Sequence, residues 1–201
     1  HAFGLPAQIE KLQEFEIPLI EDGTQALGAQ IKGEKVGCFG RISLISFYAT
    51  KMITTGEGGM VLTDSSPLAE RIHDLRDYDK KETYRFRTNA KMTDLEAALG
   101  VVQLKRLPEF LKRRRELASR YGATLRSSGV ILPCEKTDRD HVFYRYVVRI
   151  PKKKRELMKH LVSRGIEVKE PVFKPLHQYW SLRDSGFPHT TQAMKESCSL
   201  P

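Results

Sequence analysis

Short apolar runs separated by glycine-rich turns fill the first third of the chain, and helical spacing takes over in the middle. Residues 6–15 carry Ile9, Leu12 and Phe15 at intervals that predict a helix with one apolar face. Ile17-Pro18-Leu19-Ile20 then reads as a strand that ends in two carboxylates, Glu21-Asp22. Residues 30–40 are polar and glycine-punctuated, which predicts a turn or short hairpin around Lys32-Gly33. Leu44-Ile45-Ser46-Phe47-Tyr48 reads as a buried strand and Met60-Val61-Leu62-Thr63 as a second one. Between them, Thr54-Thr55-Gly56-Glu57-Gly58-Gly59 is too rich in glycine and β-branched residues for a helix.

Ser65-Ser66-Pro67 opens a helix with a serine cap and an early proline, and Leu68, Ile72 and Leu75 share its apolar face. The charged, aromatic stretch 76–89 reads as a long loop, of the kind that is either functional or disordered. Thr93 with Glu96 three residues later forms a capping box for a helix over 93–106. Pro108 is expected to break that helix, and 109–125 to continue as a second one. Beyond residue 130 a β-rich run over 141–150, a helix over 154–164 ended by Gly165, and a strand at Ile166-Glu167-Val168 predict a small α/β domain. The expected class is α/β, because helix, strand, crossover and strand follow one another as a parallel sheet requires. The expected organisation is a partial large domain over 1–108, an interdomain helix over 109–128 and a small C-terminal α/β domain over 129–201.

Composition narrows the class without changing it. Hydrophobic residues make up 40% and charged residues 29%, ordinary for a soluble globular chain. No apolar run reaches the length of a membrane span, and no signal-peptide pattern opens the sequence. Cys38, Cys134 and Cys198 are far apart and odd in number, which favours free thiols in a reducing cytoplasm. The net charge of +9 and the runs at 112–116 and 152–155 invite a nucleic-acid reading. Leu111, Leu117 and Tyr121 keep amphipathic spacing through the first run, so a solvated helix face explains it better. Neither helix-turn-helix spacing nor basic-and-aromatic interleaving accompanies the charge. Nucleic acid and membrane are therefore not expected partners, and no metal-ligand spacing is present.

Candidate chemistry centres on Lys51, which stands between a strand and a glycine turn. A loop lysine is ordinarily solvated; one at the mouth of a sheet is also placed to form a Schiff base with a carbonyl compound or with pyridoxal phosphate. Asp22 supports the second reading. A carboxylate at the carboxyl end of a parallel strand faces the crevice where α/β folds bind ligands, and pyridoxal chemistry needs one against the pyridine nitrogen. Gln25 is placed to meet the ring face or its exocyclic oxygen, and Ser46 to donate to the phosphate.

Three stretches, EDGTQALGA, GCFGRISLISFYATKMITTGEGGMVLTD and NAKMTDLEAALGVVQLKRL, closely resemble the DegT/DnrJ/EryC1/StrS family of sugar aminotransferases. The resemblance runs along nearly the whole chain. It implies pyridoxal-phosphate transferase fold type I, with part of the large, mostly parallel-sheet domain followed by the small domain. It makes Lys51 the Schiff-base lysine and proton shuttle, Asp22 the partner of the pyridine nitrogen, Gln25 a ring contact and Ser46 a phosphate ligand. Asn89 matches the asparagine that reaches the phosphate of a neighbouring subunit, which implies a homodimer with shared active sites. Lys91 stands where relatives carry arginine, replacing a bidentate anion contact with a point charge. The Pro171…Pro175-Leu176-His177 segment matches a signature of the small domain, with His177 either a substrate contact or a structural histidine. Relatives are nearly twice as long, and the chain is expected to lack their N-terminal part and extreme C-terminus.

The implied activity is transfer of an amino group from an amino acid, glutamate in most relatives, to a nucleotide-diphosphate keto-sugar in the cytoplasm. Lysine at position 51 argues against the dehydratases of the family, which carry histidine there. A non-catalytic or regulatory relative that keeps the fold without a complete cofactor pocket is the alternative.

Overall fold

A computed structural model describes all residues, 1–201. The chain divides into two compact units, His1–Arg113 with Lys136–Tyr144, and Arg114–Glu135 with Arg145–Pro201.

The first unit is built on a three-stranded sheet in the order β1 (Ile20–Asp22), β4 (Ile42–Ser46), β5 (Gly59–Leu62). β1 runs parallel to β4 with Asp22 opposite Leu44, whereas β5 returns antiparallel with Gly59 opposite Ser46. The sheet of this chain is thus mixed and not mostly parallel. The reason is local: residues 47–58 fold back tightly enough for Tyr48 to bridge Gly56, leaving no room for a crossover. A small hairpin of β2 (Gln30–Ile31) and β3 (Glu34–Lys35) forms around Lys32-Gly33 as expected.

Several elements are shorter than their patterns predict. Helix α1 spans only Ile9–Gln13, since Ile9 alone is buried while Leu12 and Phe15 face solvent. β1 begins at Ile20, because Pro18 has no amide to give a ladder and Ile17 lies exposed. β4 alternates between faces, with Ser43 and Ile45 inward and Leu44 outward, so it is half-buried and not a buried run. Helix α2 (Ser66–Leu75) starts at the expected place, but Ser65 makes no side-chain cap. Its amide instead donates to the Thr63 hydroxyl at 3.2 Å.

Helix α3 runs unbroken over Asp94–Leu125 with Pro108 inside it, against the expected break. The exposed proline ring costs one backbone hydrogen bond. On either side of it, Leu107 and Leu111 are anchored in the core with Ala26, Ile45, Phe47 and Ile53, which holds the helical path. The capping box forms reciprocally: the Glu96 carboxylate accepts the Thr93 amide at 2.8 Å and its hydroxyl at 2.9 Å, and the Glu96 amide donates back at 3.3 Å.

Residues 136–144 belong to the first unit. Ile31 bridges Arg139, the Lys32 amide donates to Asp138 and the Val142 amide to Gly4. Arg139, buried, donates to the Ala7 carbonyl at 2.6 Å and pairs with Asp138.

The second unit pairs β6 (Tyr146–Arg149) antiparallel with β7 (Ser197–Leu200), around buried Val148 and Cys198. The run over 141–150 forms a strand only from Tyr146, because Phe143 is left-handed (φ 49°) and its amide is taken by His141 Nδ1. Helix α4 (Lys154–Ser163) ends before Gly165 as expected. No strand forms at Ile166-Glu167-Val168; Lys169 exchanges backbone hydrogen bonds with Ser199 as an isolated bridge instead. Helices α5 (Leu176–Tyr179) and α6 (Pro188–Glu196) complete the unit. Lys154 joins its parts, with its ammonium on Glu170 and the Met194 carbonyl at 2.9 Å each. No helix is long and apolar enough to cross a membrane.

Candidate active site

Lys51 sits in the loop between β4 and β5, and the loop is held from within. The Lys51 amide donates to Tyr48, Thr55 to Phe47, and Phe47 to Gly58. Met52 and Ile53 are buried anchors directly after the lysine. Gly58 has φ 139°, and a Cβ there would stand 2.7 Å from both Met92 Cε and Thr55 Oγ1, so only glycine lets the loop close. The Lys51 side chain is half-buried, with its ammonium over the ring of Tyr144 at 5.3 Å from the centroid. Tyr144 Oη in turn lies 3.3 Å from Thr50 Oγ1.

Asp22 ends β1 and Ser46 ends β4, so both stand at the carboxyl ends of adjacent parallel strands. Parallel register puts Asp22 and Leu44 on one face, and Ser46, two residues on, shares it. Burial alone would raise the Asp22 pKa. The Thr24 hydroxyl and amide (the latter 3.0 Å from Oδ1), the amino group of His1 and the Lys51 ammonium outweigh it and hold the carboxyl below its usual range. Asp22 is therefore ionised and within the electrostatic reach of Lys51. Ser46 Oγ accepts the Tyr48 amide at 3.3 Å, which leaves its own proton to donate. Gln25 Oε1 is taken by the Phe3 amide at 2.8 Å, so the NH2 group is the end of the Gln25 amide that this bond does not engage.

The remaining sequence candidates stand elsewhere. Asn89 is exposed on the stretch between α2 and α3. Lys91 is exposed too, but its ammonium is paired with Asp77 at 3.0 Å. It lines a groove of about 940 Å³ that also includes Glu57 and Gly58 of the lysine loop. His177 is buried in the second unit, stacked on Phe187 with Nε2 on Asp184 at 2.8 Å. That geometry fits a structural histidine, with Nε2 and one ring face engaged.

Two residues of the first unit take places that the sequence does not define: Tyr144 reads as either a substrate contact or a structural residue, and Glu21 carries no role in it. Tyr144 reaches Lys51 only because Arg139 and its neighbours bind residues 136–144 to the N-terminal segment. Glu21 is the other: its side chain is buried, facing away from Asp22, and accepts bonds from several backbone amides. The alternation of a strand was the one signal for it, since two successive carboxylates must point to opposite faces.

The sequence profile described as the DegT/DnrJ/EryC1/StrS aminotransferase family matches residues 1–201. Among curated relatives, GDP-perosamine synthase of Escherichia coli O157:H7 is 34% identical over 88% of this chain and 51% of its own length. Among solved structures, S. venezuelae DesV in complex with a ketimine intermediate superposes with a TM-score of 0.92 at 30% identity, covering 100% of this chain and 58% of DesV. A putative sugar aminotransferase of Streptococcus pneumoniae in its PLP form shares the fold, with a TM-score of 0.87 at 20% identity over 100% of this chain and 61% of its own. The chain thus spans between half and two thirds of the length of these proteins. Over its whole length, this chain belongs to the DegT/DnrJ/EryC1/StrS aminotransferase family.

Proposed function

We propose that the chain carries the lysine site of a pyridoxal-phosphate-dependent aminotransferase of fold type I acting on a nucleotide-diphosphate keto-sugar. The observation that carries this reading is the placement of Lys51 within electrostatic reach of an ionised Asp22, which stands with Ser46 at the carboxyl ends of two parallel strands. Amine and carboxylate are the two groups pyridoxal phosphate demands, and the donor set fits it: carboxylate for the ring nitrogen, amide for the ring, hydroxyl for the phosphate. When bound, the cofactor supplies an electron sink that makes the C–H bond beside a substrate amine acidic.

Each side chain then has a task of its own. Asp22 accepts a hydrogen bond from the protonated ring nitrogen and keeps the proton there. Gln25 donates its NH2 to the ring hydroxyl or covers the ring face, and Ser46 donates its hydroxyl to the phosphate. Lys51 anchors the cofactor through its amine. With an amino donor such as glutamate in the site, the free Lys51 amine would carry a proton between substrate carbon and cofactor carbon. Asn89 acts from a neighbouring subunit, and Lys91 offers a point charge to an anionic substrate once it exchanges Asp77 for it. The exposed apolar side chains Phe86, Leu95 and Val102 support a homodimer, and the name of the perosamine synthase supports a nucleotide-sugar substrate. The first unit is read as part of the cofactor-binding domain and the second as the small C-terminal domain, in a cytoplasmic enzyme.

The test is an absorbance titration of the chain and of Lys51→Ala with pyridoxal phosphate. A band near the visible edge in the chain and not in the variant supports the reading. The same spectrum in both, or no band in either, overturns it for this chain by itself.

A further inference from the structure

We propose that Glu21 is a positioning residue of the lysine site. Its buried carboxylate clamps β1 to the segment that feeds β4, and so fixes where Asp22 stands relative to Lys51. The inference rests on the reading of Asp22 and Lys51 given above, and deepens it.

Glu21 Oε1 accepts the Gly37 amide at 2.8 Å and His1 Nε2 at 2.9 Å. Oε2 accepts the Ser43 hydroxyl at 2.8 Å, the Phe39 amide at 3.0 Å and the Gly40 amide at 3.2 Å. The Ala7 amide donates to His1 Nδ1 at 2.9 Å, so Nε2 bears the proton and donates to the carboxylate. Glu21, His1 and Ser43 are almost fully buried. Gly40 fits because it has no side chain: a Cβ would stand 2.9 Å from both the Cβ and the amide nitrogen of Glu21.

Such a clamp is needed because β1 is three residues long. Few ladder bonds hold a strand that short, and a slip of one residue would turn Asp22 to the buried face. Glu21 and Ser43 are register partners, so their side-chain bond locks the same rung that the backbone defines. The amides of Gly37, Phe39 and Gly40 belong to the segment entering β4, the strand that ends in Ser46 and leads to Lys51. One carboxylate thus ties together both strands whose ends carry the site. Asp22, the next residue, projects to the opposite face.

Titration of the Asp22 carboxyl by 13C NMR in the full chain, without pyridoxal phosphate, tests this in wild type, Ser43→Ala and Glu21→Gln. The low Asp22 pKa depends on its placement beside Thr24, the His1 amino group and Lys51, so loosening the clamp should raise it towards the ordinary value, more in Glu21→Gln, which also loses the His1 contact, than in Ser43→Ala, which keeps it. Loss of the Glu21 charge by itself would lower the Asp22 pKa, so an upward shift reports displacement. A purely scaffolding role would leave the value in the folded variants unmoved. An upward shift in either folded variant supports the proposal, and an unchanged or lowered value in every folded variant overturns it. Ser43→Ala decides alone if Glu21→Gln does not fold. No cofactor enters the measurement, so its outcome is separate from that of the Lys51 titration.

Discussion

The ammonium of Lys51 lies over the ring of Tyr144, although the two come from separate segments of the first unit's sequence. The ring fixes the direction of the amine, and the Tyr144 hydroxyl ties to Thr50, the residue before the lysine. A cation–π contact of this kind contributes about 0.5–1 kcal/mol where water still reaches the cation. Tyr144→Leu should therefore weaken pyridoxal phosphate binding by roughly two- to fivefold. Tyr144→Phe keeps the ring and should bind normally, losing about 0.5–1.5 kcal/mol of stability with the hydroxyl contact. Absorbance titrations and urea midpoints of the two variants separate these effects; equal affinity in both would remove the ring from the account.

His141 should make the fold acid-sensitive. Burial pushes its pKa down to about 4, with a smaller opposing contribution from the hydrogen bond to the Gly4 backbone. Its ring stacks on Phe143 with centroids 4.1 Å apart. An unfolded histidine takes its proton near pH 6.5, so between there and about 4 the unfolded state binds more protons. Stability from the neutral ring is complete above that window and is lost as the pH falls through it. Allowing for solvent screening of a partly open ring, the loss is roughly 1–3 kcal/mol. Urea unfolding at pH 7 and pH 4.5 should show a smaller difference for His141→Gln than for the wild type, and an identical difference would sink the assignment.

What could be read from the sequence was local. The capping box of Thr93 and Glu96 and the hairpin around Lys32-Gly33 each depend on residues a few positions apart, and each formed. The glycines after Lys51 likewise marked a tight loop. The contacts that complete the site are long-range. Tyr144 meets Lys51 because buried Arg139 grips the Ala7 carbonyl, and no periodicity announces that. Glu21 carried no role in the sequence, and the observed faces of β1 show it turned inward. The failed expectation at Pro108 has the same root, since local propensity forecast a break that burial of Leu107 and Leu111 overrode. At Ile166-Glu167-Val168 the β-branched residues were present, but the strand β7 pairs with β6 and leaves that segment a single bridge.

Pro108 offers a test of that balance. It is exposed, so its ring contributes little packing, and the helix around it is continuous. Proline in a helix interior costs about 3 kcal/mol, against roughly 1 kcal/mol returned by stiffening the unfolded chain. Pro108→Ala should accordingly raise stability by about 1–2 kcal/mol. A urea midpoint that stays level or falls would mean the ring makes a contribution the helix needs.

The cysteines report on the second unit. Cys38 and Cys134 are exposed, whereas Cys198 is fully enclosed in β7 beside β6. Burial raises the Cys198 pKa, the nearby Lys154 ammonium opposing and the Glu170 carboxylate adding to the rise. Thiolate is the reactive form, so Cys198 is both shielded and protonated where its two counterparts are neither shielded nor enclosed. With an aromatic disulfide reagent at pH 8, two thiols should react quickly and the third on the order of a hundredfold more slowly, at the rate of local opening of the β6–β7 pair. Cys198→Ala should abolish the slow phase and leave the fast ones untouched. Disrupting the Lys154 contacts to Glu170 and Met194, with Lys154→Met, should quicken the slow phase, because the ammonium joins α4 to the segment leading into β7. Three thiols reacting at one rate in the wild type would show that the pair opens freely and that Lys154 does not secure it.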